Sequence, residues 1–142
     1  MKNKRLVLAW TLLILWMLFI FIMSSFNGVM SSNQSGSIAV LIYNLFDISD
    51  TEKVSFIVRK CAHVSEFFIL GILVINLVSK YNVKHIYFIS FIICVLYASS
   101  DEFHQLFVDG RSCELRDVLI DTIGSYVGIL IYNGFKKRLM KK

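Results

Sequence analysis

A chain of 142 residues has room for one domain, and 56% hydrophobic residues with no proline is not the composition of a water-soluble one. The net charge of +5 does not indicate a nucleic-acid binder, because Lys and Arg gather at the chain ends and in short loops rather than along one basic face. The three cysteines, Cys61, Cys94 and Cys113, have no CxxC spacing, so neither a disulfide framework nor a structural zinc site is signalled.

Behind the basic start Lys2, Lys4 and Arg5, residues 6–23 run without a charge for about the length of the hydrocarbon core. They predict a first span. A cleaved signal peptide has a shorter apolar stretch and small residues at its cut site, whereas Trp10, Trp16, Phe19 and Phe21 lead here into Ser24, Ser25, Phe26 and Asn27. Residues 31–37 then read as a polar loop. Residues 38–46 are almost wholly apolar but too short to cross, which fits a short re-entrant or interfacial helix, or a segment packed on the bundle.

Residues 61–78, between Arg59, Lys60 and Lys80, predict a second span with His63 and Glu66 inside it. The third, 86–104, is uncharged as far as Ser100 and continues through Asp101, Glu102 and His104 toward the headgroups. The fourth, 118–135, contains Asp121 and closes on the basic tail Lys136, Lys137 and Arg138. The expected fold is therefore all-α: one membrane domain over 1–142, four transmembrane helices, and a short extra helix between the first two.

Four spans put both termini on one side. The N-terminus, the 79–85 turn and the tail hold ten of the fifteen Lys and Arg, so the positive-inside bias predicts cytoplasmic termini in a multi-pass plasma-membrane protein. All ten acidic residues then fall in outer segments or outer halves of spans.

At about 100° per helical residue, Arg59, His63 and Glu66 share a face roughly 60° wide, and so do Asp117, Asp121, Gly124 and Gly128. The glycines mark the second stripe as an interior face, where small residues admit another helix. The third span adds Asp101, Glu102, His104 and Gln105, and Gly110 turns the chain back toward the fourth. Ionisable groups within spans are costly and need partners, for which Arg59, Lys60, Arg111 and Arg116 are available. The plainer reading is that His63 and Glu66 satisfy each other as an i,i+3 pair, and that Asp101, Glu102 and Glu114 are simply solvated.

Three chemistries are open to such a cluster. His63, Glu66, Glu102 and His104 are candidate metal ligands, although His-x-x-Glu and Glu-x-His are weaker signals than His-Glu-x-x-His. His63, Glu66, His104 or Asp121 are candidate acid-base catalysts. Ser24, Ser25, Ser65, Ser99 and Ser100 lie near, but none sits in Gly-x-Ser-x-Gly.

The run Arg59, Lys60, Cys61, Ala62, His63, Val64, Ser65, Glu66, Phe67, followed by Leu70 and Gly71, resembles the signature of the VanZ-like family. So does the later run Asp101 to Val108, with Gly110, Arg111, Asp117, Val118, Asp121 and Gly124 in order and spacing. The Ser24–Asn27 stretch is similar to a reduced form of the family's Ser-rich motif, and Asp109 stands where proline is common. This resemblance implies a multi-spanning envelope protein whose named relative lowers susceptibility to teicoplanin, a lipid-tailed glycopeptide. Many relatives lie outside resistance clusters, which implies a broader role in envelope lipid or cell-wall precursor handling.

The leading expectation is an outer-leaflet polar site that engages membrane lipids, a lipid-linked envelope precursor or an amphiphilic glycopeptide. Arg59, Lys60, Arg111 and Arg116 would attract anionic groups, while His63, Glu66, Asp101, Glu102, His104, Gln105, Asp117 and Asp121 shape and charge the site. The runner-up is a membrane-embedded, metal-dependent enzyme that hydrolyses or transfers a lipid headgroup. A proton-coupled transporter ranks last, because the cytoplasmic halves of the spans are apolar. No motif names a cofactor or an oligomeric state.

Overall fold

Residues 2–26, 36, 40, 51–111 and 113–140 are described by a computed structural model, and the helices it forms are α1 (Lys2–Ser24), α2 (Thr51–Val78), α3 (Ile86–Gln105) and α4 (Leu115–Met140). There is no strand among the described residues. Apart from Gly36 and Val40, the expected 31–37 loop and 38–46 helix lie outside the described residues.

All four helices are long and apolar enough to cross a membrane, over Asn3–Ser24, Lys53–Val78, Ile86–Gln105 and Leu115–Lys136. Each also exposes large apolar side chains, among them Leu8, Leu15, Ile69, Phe88, Leu96, Leu119 and Ile123. Water does not tolerate apolar surface on that scale, so lipid is the solvent these faces fit.

Three spans match their sequence expectation to within a few residues. The second begins earlier, at Lys53 rather than 61. Arg59 and Lys60 read as a helix boundary by charge alone, but the apolar Val54, Phe56, Ile57 and Val58 precede them, and Lys60 is paired inside the bundle with Asp117. The charge is thus accommodated without ending the helix. From Thr51 to Lys60 the helix adds about 13 Å beyond that contact, at about 1.5 Å per residue.

The helices alternate in direction, so α1 runs parallel to α3 and α2 parallel to α4. Close packing of α2 on α4 sets the register of the bundle. A Cβ added to Gly128 would lie 2.1 Å from the Phe68 carbonyl oxygen, and one on Gly71 would lie 2.2 Å from that of Ser125. Only glycine permits backbones this close. Phe67, Leu70, Val74 and Ile75 of α2 fill the core with Ile20, Cys94, Ala98 and Ile129 from the other three helices.

At the basic end, Trp10 Nε1 donates to Tyr81 Oη at 2.8 Å, Tyr132 Oη donates to Asn76 Oδ1 at 3.2 Å, and Tyr87 Oη donates to Asn133 Oδ1 at 2.6 Å. His85, with φ 59°, starts α3 from a left-handed backbone conformation that histidine tolerates better than most residues. The opposite end, where α1 and α3 stop and α4 starts, carries the ionisable residues.

Candidate functional site

The polar end is assembled by side chains that bridge helices. Lys60 of α2 donates to Asp117 of α4, and its ammonium lies 5.2 Å from the centre of the Phe56 ring. Ser24, at the last residue of α1, donates to Asp101 Oδ2 of α3 at 2.8 Å. Gln105 Nε2, one turn further along α3, donates to the same oxygen at 3.2 Å.

The connection from α3 to α4 is anchored just as firmly. The buried Glu102 carboxylate accepts the Glu114 backbone N–H at 3.1 Å. Arg111 Nε donates to the Phe26 carbonyl at 3.2 Å, and its Nη1 donates to Gln105 Oε1 at 3.4 Å. Gly110, at φ 72°, makes the turn that brings Arg111 back over the bundle, a conformation that favours glycine.

Between these elements lies a pocket of about 230 Å³. Its cationic wall is Arg59, Lys60 and Arg111; His63, Gln105 and Asp117 form its polar floor, and Phe56 and Glu114 border it. Burial, then the like charge of Arg59, hold Arg111 below the ordinary guanidinium pKa, although it stays cationic. Two guanidinium groups brought together repel each other unless an anion lies between them, and Arg59 has no ion-pair partner among the described residues.

Beneath the pocket, three polar atoms from three helices are buried without a hydrogen-bond partner among the described residues: Nδ1 of His63, Oδ1 of Asp101 and Oδ2 of Asp121. Asp101 is 3% exposed and Asp121 only 1%. His63 Nδ1 stands 4.0 Å from Asp121 Oδ2, too far for a hydrogen bond. Carboxylates buried within spans are costly, so two beside an imidazole nitrogen that makes no hydrogen bond are an expensive arrangement.

The structure distributes the sequence candidates unevenly. Arg59, Lys60, His63, Gln105, Arg111 and Asp117 meet at the pocket, with Asp101 and Asp121 below. Glu66 is half-buried one turn deeper, within electrostatic reach of Asp101 and Arg111, and its backbone carbonyl accepts Trp16 Nε1 at 2.9 Å. His63 is not hydrogen-bonded to Glu66. Arg116 stands apart on the surface, where its side chain is 85% exposed and pairs with Glu114 at 3.3 Å.

The metal-ligand candidates regroup. His104 turns to α1, stacked on Phe21 with ring centres 4.3 Å apart and with Nε2 3.0 Å from Ser25 Oγ, while Glu102 is spent on the Glu114 N–H. The ligand atoms that converge among the described residues belong instead to His63, Asp101 and Asp121, all within 4.8 Å of one another. Sequence reasoning placed His63, Asp101 and Asp121 in one site but did not single them out as the converging ligands, because helical spacing relates residues within one helix, whereas these sit one to a helix. It also missed Phe56, which lies outside the span expected from charge.

No curated protein and no solved structure matches the chain. Residues 9–137, which include all of α2 and α3 and most of α1 and α4, match the VanZ/LLP1 family model, and the chain belongs to that family.

Proposed function

We propose that the polar pocket faces the outer leaflet of the plasma membrane and engages the anionic headgroup of a lipid-linked envelope component or of a lipid-tailed glycopeptide. The observation that carries this reading is the pocket's cationic wall, Arg59, Lys60 and Arg111, opening beside apolar helix faces. A headgroup bearing phosphate or carboxylate would be held by charge-assisted hydrogen bonds, while its acyl or polyprenyl tail stays in lipid along exposed α2 and α3. The positive-inside bias supports cytoplasmic termini, which put the pocket outside, where lipid-linked wall precursors are consumed and glycopeptides arrive.

Such binding accounts for lower susceptibility to teicoplanin, as in the family's named member, or for envelope homeostasis in a cell never exposed to the drug. The test is co-purification. Detergent-solubilised parent protein should retain an anionic lipid-linked species identifiable by mass spectrometry, and Arg59→Gln with Arg111→Gln should release it. Equal retention by the double variant would remove the pocket from the account.

A second reading, a metal-dependent enzyme that hydrolyses or transfers the headgroup, is favoured by the convergence of His63, Asp101 and Asp121. A reaction product that forms with parent protein and disappears with His63→Ala would select it over binding alone.

A further inference from the structure

We propose that His63, Asp101 and Asp121 bind one divalent transition-metal ion of the Zn2+ or Mn2+ class, held where α2, α3 and α4 meet under the pocket. The donor set is one imidazole nitrogen and two carboxylate oxygens, a mixed N/O combination suited to these ions and poor for soft ones such as Cu(I). Each of the three residues has one buried side-chain atom with no hydrogen-bond partner among the described residues, and the three offer ligand atoms that lie within 4.8 Å of one another. Buried polar atoms in folded proteins are nearly always satisfied, so three orphans converging on one point call for a shared ligand.

Geometry and charge both suit a cation. A tetrahedral ion about 2.0–2.2 Å from each donor spaces its ligands about 3.3–3.6 Å apart, so the 4.0 Å separation of His63 Nδ1 and Asp121 Oδ2 closes by about half an ångström, and no pair, all being within 4.8 Å, has to close by more than about 1.5 Å. Two positive charges balance the two buried carboxylates. Asp101 also has neighbours that aim it. Ser24 and Gln105 both donate to Oδ2 of Asp101, which leaves Oδ1 as its free donor.

Three protein ligands leave a coordination position open, the arrangement of catalytic rather than structural zinc sites. His63 lines both the ion site and the cationic pocket, so the open position faces the pocket and is available to an oxygen of a phosphate or carboxylate. That last role rests on the pocket reading above; ion binding itself does not.

The test is metal content of the full-length protein, purified in detergent without a polyhistidine tag and analysed by inductively coupled plasma mass spectrometry. Parent protein should carry one equivalent of a single divalent metal. Asp101→Asn and Asp121→Asn should fall to background, Asp109→Asn on the exposed loop should retain the full equivalent, and Ser24→Ala should bind about 10-fold more weakly, as expected when the group orienting a ligand is removed. A measurement on the parent alone guards against variants that fail to fold: chelator should lower its unfolding temperature, and adding back the metal should restore it.

Co2+ replacing the native ion should give a visible absorption band that requires His63. A parent protein without stoichiometric metal and without a thermal response, or undiminished metal in both Asn variants, would overturn the site and assign the trio to a shared proton or water. Lipid-linked ligand retained by metal-free parent would remove the ion but leave the pocket reading intact.

Discussion

Ser24 Oγ at the end of α1 donates to Asp101 Oδ2 of α3 at 2.8 Å, and together with Gln105 Nε2 on the same oxygen it leaves Oδ1 of Asp101 toward His63 and Asp121. Two parallel helices that otherwise touch mainly through apolar side chains are thereby joined at the polar end. Ser24→Ala leaves Asp101 with Gln105 as its only side-chain donor among the described residues, so the expected cost is about 1–3 kcal/mol. Thermal unfolding in detergent should show a lowered midpoint at unchanged expression, and an unchanged midpoint would mean that water replaces the hydroxyl.

The glycine contacts between α2 and α4 predict a sharp positional contrast. Gly128→Ala puts a methyl group against the Phe68 carbonyl, where backbone must move, whereas Gly134→Ala meets nothing within 4 Å. The first should destabilise by about 1–3 kcal/mol or more, as overpacking does, and the second should be neutral or slightly stabilising through helix propensity. Fluorescence-detected gel filtration after heating distinguishes them, and equal behaviour would contradict the packing of α2 on α4.

Much of the bundle was legible because charge-free runs of sufficient length, bounded by Lys and Arg, leave few alternatives in lipid. The start of α2 was not, since Arg59 and Lys60 look like a boundary until Asp117 is seen to neutralise Lys60. Angular spacing groups Arg59, His63 and Glu66 on one face and Asp117, Asp121, Gly124 and Gly128 on another. Which carboxylate meets which histidine depends on relative rotation and depth, and those follow from the Gly71 and Gly128 approaches, which no single-helix periodicity contains. For the same reason His104 looked equivalent to His63, yet it faces Phe21 of α1 and Ser25 just beyond its end.

Topology gives a third prediction. With the native cysteines replaced, a cysteine introduced at Asp109, which is exposed beside Gly110, should react with an impermeant thiol reagent on intact cells. One introduced at Asn82, in the exposed turn before α3, should react only after permeabilisation. The reverse pattern would turn the pocket to the cytoplasm and end the outer-leaflet reading.

Removing charge without changing shape separates function from folding. Glu66→Gln and Asp121→Asn keep volume and hydrogen-bonding capacity and relieve the insertion cost of a charge, so abundance should hold while function falls. Where the parent changes glycopeptide susceptibility or an envelope phenotype, both variants should lose most of that effect. Full activity in both would reduce these residues to packing.

The most direct measurement places a photoreactive amino acid at Phe56, a half-exposed residue on the pocket border, and identifies by mass spectrometry what it captures in intact membranes. The account predicts an adduct with an anionic, lipid-tailed envelope component that diminishes about 10-fold or more when Arg59 and Arg111 are replaced by Gln, the loss expected from charge-assisted hydrogen bonds of about 1.5–3 kcal/mol each. Capture of bulk zwitterionic phospholipid alone, unaffected by those two substitutions, would contradict it.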